Sequence, residues 1–203
     1  PRANTPGLRQ NTRWLPGEPE ATRNANRNFP KTGESDEARS VPVQALWKFI
    51  QEQQPDWVVD LHEGFDFHIA NSKSDGSSII YFDTPEMQRL AAAIHDAVNA
   101  TIEDPQRKIV RLSKSGPVNG GLVRACVERL GAKGFCLETT YQKQPLSTRT
   151  RQHRIMVHRL MSELEMGPGC ANVLTSTDDT TRIKAALYDA GGTGGQGVGN
   201  LTR

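Results

Sequence analysis

Three short strings carry side chains suited to hydrolytic chemistry. Trp57-Val58-Val59-Asp60-Leu61-His62 is an apolar run that ends in histidine, with Glu63 following. Histidine is the commonest metal ligand, and its second ring nitrogen needs an orienting partner. Gly134-Phe135-Cys136-Leu137-Glu138 is a second apolar run, ending in a carboxylate. A carboxylate beside a metal-bound water is a standard general base. Asn26-Arg27 lies in a loop with further arginines upstream, Arg9, Arg13 and Arg23. Arginine forks onto carboxylates, and an asparagine can donate beside it, so this pair suits the clamping of a substrate carboxylate. Each string alone also admits an ordinary reading. His62 could be a hydrogen-bonded strand-end histidine, Glu138 a cap on the following turn, and Asn26-Arg27 part of a solvated basic loop.

The elements that would position these residues are legible from periodicity. Segment 37–54 carries Val43, Leu46, Trp47 and Ile50 at helical spacing. Residues 57–62, 78–82, 108–112 and 134–138 read as short strands rich in residues that suit a buried sheet. A helix starts at Pro85 and runs through Met87, Leu90, Ala91, Ile94 and Val98, and a short one spans 122–130. Residues 148–165 form a helix with Ile155, Met156, Leu160, Met161 and Leu164 inward. The first 35 residues read as loops. Strands alternating with helices predict an α/β protein, a three-layer α/β/α sandwich around a central mixed, largely parallel sheet. His68 falls in the loop after the first strand. His95, His153 and His158 fall on predicted helices, without metal spacing, as surface or interhelix groups.

Taken in order, the three strings resemble a known family. Asn26-Arg27-Asn28-Phe29-Pro30 resembles the "NRNF/NRNW" signature of the M14 zinc metallocarboxypeptidases, and Asn4-Thr5-Pro6-Gly7-Leu8-Arg9-Gln10-Asn11 resembles the stretch that precedes it. Asp60-Leu61-His62-Glu63-Gly64 is similar to the strand carrying that family's third zinc ligand, and Phe135-Cys136-Leu137-Glu138-Thr139 to the strand carrying its catalytic glutamate. The "DLHEG" and "LET" forms also resemble the succinylglutamate desuccinylase/aspartoacylase branch, which shares the fold. The resemblance covers roughly residues 4–165. It implies that His62 is a zinc ligand and that Glu138 shuttles a proton from water to the leaving amine. It implies that Arg9, with Arg13 as the second candidate, stabilises the oxyanion. Asn26 and Arg27 would hold the substrate's carboxylate.

The sequence departs from the pattern in two places. No HxxE motif, the source of the family's first two zinc ligands, precedes Asn4. Catalytic zinc needs three protein ligands, so the expectation is a natural protein that extends upstream, with this chain alone inactive and holding zinc weakly. A metal-free relative is the alternative. The family's substrate-capping tyrosine also lacks a match near Ser115-Gly116-Pro117-Val118-Asn119. The expected domain plan is a partial catalytic domain truncated at its N-terminus (1–168), a linker (169–180) and the truncated start of a second domain (181–203). Its Ala185-Ala186-Leu187-Tyr188-Asp189 strand is similar to the opening of glutamine-amidotransferase-like domains. Gly192 to Gly197 matches G-x-G-x-x-G, but the fingerprint needs a following helix and a distant acidic residue, and the sequence supplies neither.

The implied activity is zinc-dependent hydrolysis of an amide bond next to a carboxylate, as in a metallocarboxypeptidase. N-acyl amino acid deacylation and metal-free carboxylate binding are the rivals. The substrate would be a peptide or an N-acyl amino acid with a free carboxylate. Among 203 residues, 25 are basic and 23 acidic, for a net charge of +2. That balance lacks the basic excess of a nucleic-acid binder, and no run of about 18 apolar residues predicts a membrane span. Cys126, Cys136 and Cys170 lack metal spacing and leave the compartment open; the first two suit a core.

Overall fold

A computed structural model describes residues 4–166. Segments 169–180 and 181–203, expected as a linker and the start of a second domain, lie outside the described residues. Within them the chain forms two compact units. Of the described residues, one unit comprises those up to Asp60 with Ser113–Cys136; the other comprises Leu61–Leu112 with residues 137–166.

In the first unit, helix α1 (Thr5–Arg9) is capped by Asn4, whose side chain accepts from the Gly7 amide at 3.0 Å. Sequence periodicity predicts loop here, because five residues are too few to show a helical period. Helix α2 (Val41–Gln53) starts four residues later than periodicity predicts. Ser40 is its N-cap and Pro42 sits in its first turn, where the missing amide costs nothing. Val43 and Trp47 of α2 join Leu15, Phe29, Ala38, Ala125, Cys126 and Ala132 in one apolar cluster. Phe29 meets Trp47 edge-to-face at 6.3 Å, and the Trp47 indole donates to the Asp36 carbonyl at 3.0 Å. Helix α4 (Leu122–Leu130) supplies Ala125 and Cys126 and stops at Gly131, whose φ of 69° a side chain would strain.

In the second unit, strands β2 (Ser78–Ile80) and β3 (Val110–Leu112) pair in parallel, Ser78 against Val110 and Ile80 against Leu112. Asn99 clips the entry to β3: its side-chain amide donates to the Ile109 carbonyl and accepts from the Ile109 amide, each at 2.9 Å. Helix α3 (Pro85–Asn99) is capped by Thr84 and buries Met87, Leu90, Ala91, Ile94 and Val98, the face its spacing predicts. It packs against α5 (Leu146–Glu163). Burial of each such side chain stabilises by roughly 1.5–3 kcal/mol. Helix α5 departs from expectation. Ile155, Met156 and Leu160 are buried, but Met161 is exposed, and the first half of the helix buries Arg149 and Gln152 instead.

Strands β1 (Trp57–Gly64) and β4 (Lys133–Thr140) run through both units, and the sheet order is β1-β4-β2-β3. In the first unit the Lys133 amide donates to Asp56 O at 2.8 Å; in the second the Tyr141 amide donates to Gly64 O at 3.1 Å. Both bonds fit one parallel ladder in which residue 133 faces 57 and residue 141 faces 65. The sheet is open and mixed, and the α/β architecture is the expected one. Among the described residues no helix is long and apolar enough to cross a membrane.

Candidate active site

The register of β1 and β4 decides which side chains meet. The same offset that sets 57 against 133 puts His62 opposite Glu138 and Glu63 opposite Thr139 in the second unit. Alternation along each strand sends His62 and Glu138 to one face and Glu63 and Thr139 to the other. The second pair is directly visible, with Thr139 Oγ1 donating to Glu63 Oε1 at 3.4 Å. His62 is half-buried, and Glu138 is buried at 8% exposure. An imidazole across the ladder from a buried carboxylate offers the donor types that zinc and its water accept. These residues fit the group that the resemblance implies.

Helix α5 contacts the opposite face of this strand pair through Arg149 and His153. Arg149 Nη1 donates to both oxygens of Glu63, at 2.6 and 2.8 Å. His153 Nε2 lies 3.1 Å from Thr139 Oγ1. Burial, partly offset by a bond to the His62 backbone and reinforced by charge on His62 and then Arg149, pushes the His153 pKa down to about 4, so the ring is neutral near pH 7. His153 is thus a sheet-facing residue, and the expectation of a surface or interhelix group is corrected. Spacing alone could not find Glu63, Arg149 or His153.

The loop after β1 is held tightly. A side chain on Gly64 would meet the Gly76 amide nitrogen at 2.3 Å, so the two ends of the loop approach closer than any Cβ allows. Ser74 is fully buried and donates to Asp66 O, and His68 Nδ1 contacts Ser74 O at 2.7 Å. Lys143 Nζ lies 2.9 Å from both Asp66 oxygens, and its hydrogen bond holds the Asp66 carboxyl below the usual range.

The first unit carries the basic and amide residues. Arg9 is exposed at the end of α1. Arg13 and Arg23 lie over the Trp14 ring at 5.0 and 4.7 Å from its centroid. Asn26 and Arg27 occupy a single 3-10 turn, Ala25–Arg27, capped by Asn24. The Arg27 side chain is exposed and donates to Asn26 O at 2.7 Å. The Asn26 amide spans two elements. Its Oδ1 accepts from the Leu122 amide at 2.8 Å, and its Nδ2 donates to Asp60 Oδ2 at 3.3 Å. Leu122 begins α4, and its N-cap Gly121 has no side chain to do this. Gly120, at φ 79°, brings its backbone against the Arg27 carbonyl, where a Cβ would lie at 2.7 Å. Asp60 also stands across the ladder from Cys136, their donor atoms within 4.8 Å. Cys126 and Cys136 are buried and form no disulfide, as expected of core residues.

Residues 1–164 match the family described as the Succinylglutamate desuccinylase/Aspartoacylase catalytic domain. The chain belongs to that family. The desuccinylase/aspartoacylase resemblance read from "DLHEG" and "LET" is thereby borne out. Solved structures share this family member's fold. The Helicobacter pylori cell shape determinant Csd4, in its apo form and in an mDAP-bound form described as a D,L-carboxypeptidase, matches at a TM-score of 0.64 and 18% identity. Each match covers 81% of this chain and 42% of Csd4. A Shewanella amazonensis protein provisionally described as a metallopeptidase matches at a TM-score of 0.55 and 15% identity, over 74% of this chain and 58% of its own. The desuccinylase/aspartoacylase-family chain thus spans less than half the length of Csd4. No curated protein matches it in sequence.

Proposed function

We propose that the chain carries the catalytic face of a zinc-dependent hydrolase that cleaves an amide bond next to a carboxylate. The observation that carries this reading is the cross-strand placement of His62 and Glu138 on one face of β1 and β4. His62 would hold zinc through an imidazole nitrogen, as one of the three protein ligands a catalytic zinc takes. Bound zinc would supply Lewis-acid polarisation and a more acidic water. Glu138 accepts the proton of the attacking water at a carboxylate oxygen and returns it to the leaving nitrogen. Arg9, or Arg13 steadied on Trp14, provides fixed positive charge where the oxyanion develops. Arg27, with Asn26 beside it, holds the substrate's carboxylate.

The family match supports an N-acyl amino acid as substrate, and the fold shared with Csd4 supports a peptide with a free C-terminus. The test is hydrolysis by the zinc-loaded full-length protein of two panels, N-acyl amino acids and short peptides. Glu138→Gln should lower turnover by about 10²–10⁴-fold while bound zinc, measured by elemental analysis, is unchanged. Retained turnover in that variant removes Glu138 from the role of base. Failure of the parent protein to cleave either panel defeats the hydrolase reading.

A further inference from the structure

The residues next to the proposed centre point away from it, into a polar contact with α5. Glu63 follows His62, and Thr139 follows Glu138. Arg149 holds Glu63 through Nη1 with its side chain 10% exposed, against 35% for Glu63. His153 and Thr139 add a second bond between the same helix and the same strand pair. Gln144 and Gln152 bond one another at 3.2 Å, and Gln144 Nε2 donates to Thr140 O at 3.1 Å. The early turns of α5 therefore bind the ends of β1 and β4 through polar groups, while its later turns bury Ile155, Met156 and Leu160 and the helix packs against α3.

Burying a guanidinium is costly, and a well-packed apolar residue would often stabilise the same interface better. Apolar contact, however, has little direction. Parallel strands of this length can slide, and a slip of one residue turns every side chain to the other face. A slipped β1 would point His62 at α5 and Glu63 at the proposed centre. The ion pair buries the Arg149 guanidinium while Glu63 stays half-exposed, and it is satisfied only when Glu63 faces the helix; selecting register is the best-attested role of a buried ionic group.

We infer that Arg149 is a positioning residue: by holding Glu63 against α5 it sets the β1/β4 register that places His62 opposite Glu138. This inference rests on the proposed function for its catalytic meaning, but its structural claim is tested separately. The experiment uses the full chain, isotope-labelled, as the parent and as Arg149→Met, Arg149→Lys and Glu63→Gln. Amide exchange is read at Tyr141, bonded to Gly64 O, and at Val110, bonded to Ser77 O, in the same unit. The ring signals of His62 are compared with those of His95, on α3. Arg149→Met and Glu63→Gln should speed exchange at Tyr141 by about 10-fold or more, since a local opening is released, and should displace the His62 signals. Val110 and His95 should stay near their parent behaviour, and Arg149→Lys should restore most of the Tyr141 protection.

A purely structural role predicts equal acceleration at Tyr141 and Val110, and that outcome overturns the inference. So does an unmoved His62 ring in both charge-removing variants. If Arg149→Met does not fold, Glu63→Gln, nearly isosteric, carries the same comparison. In the full-length protein the variants should lower kcat with KM little changed. An inactive parent would defeat the proposed hydrolase while leaving the exchange result to judge Arg149.

Discussion

Replacing Asn26 by alanine should cost stability, and a lower bound on the amount follows from two of its bonds. Its Oδ1 accepts the Leu122 amide at 2.8 Å, at the start of a helix whose N-cap is Gly121. Loss of a side-chain acceptor at a helix start costs about 1 kcal/mol. Its Nδ2 donates to Asp60 at 3.3 Å, a partly buried bond whose loss costs about another 1 kcal/mol. The sum, about 2 kcal/mol, should lower the urea midpoint of the chain by about 1 M for a slope near 2 kcal/mol/M. Asn26→Asp separates the two contributions. It keeps an acceptor for Leu122 but sets a second carboxylate against Asp60. Two like charges raise the carboxyl pKa in the folded state. The penalty of Asn26→Asp should therefore be present at neutral pH and shrink as pH falls and one carboxyl of the pair takes a proton. Urea titrations of parent, Asn26→Ala and Asn26→Asp at pH 7 and pH 4.5 provide the measurement. If Asn26→Ala lies within 0.5 kcal/mol of the parent, and the Asn26→Asp difference does not vary with pH, the bridge from the 3-10 turn to α4 and Asp60 is not the anchor described.

Three further outcomes are expected. Gly120→Ala should destabilise by about 2 kcal/mol or more in the same urea assay, because φ is 79° and the new Cβ would meet the Arg27 carbonyl at 2.7 Å; a loss below half that figure would show the turn can relax. Cys126, its thiol pushed up to about 12 by burial and then by the charge of Asp60, should resist iodoacetamide at pH 8 in the folded chain and react once the chain is unfolded. Rapid labelling of native Cys126 would contradict its burial. Lys143→Met should raise the Asp66 carboxyl pKa, read by carbon-13 NMR titration. Since the folded pKa is lowered, the contribution of this pair is present above the unfolded carboxyl value and lost as pH falls through the folded one; an unshifted Asp66 in the variant would show that Lys143 does not hold it.

The strands and helices that frame the site were legible in residue patterns. Trp57–Leu61, interrupted by Asp60, and Phe135–Leu137 are apolar runs, and α3 shows a clean helical face. Such signals are local: side-chain period and caps act within a few residues. Boundaries moved where a cap decided them, as at Ser40 and Pro42 for α2. The five-residue α1 was missed because it is held by the Asn4 cap rather than by an apolar face. On α5 the pattern misled at Met161, which is exposed, and passed over Arg149, which is 9% exposed. Periodicity assigns faces by hydropathy, so a buried guanidinium with a distant carboxylate partner is invisible to it.

Short motifs in chain order were enough to tie His62, Glu138, Asn26 and Arg27 to one family, since each string is local and their order is a property of the chain itself. The separation of 76 residues between His62 and Glu138 was likewise countable from the sequence. Only the tertiary structure decided that this separation is the offset of a parallel ladder, with Glu63 and Thr139 meeting at the same spacing. Strand register is set by non-local hydrogen bonds and by what covers each face, and here that includes the Glu63–Arg149 ion pair, whose partners lie 86 residues apart.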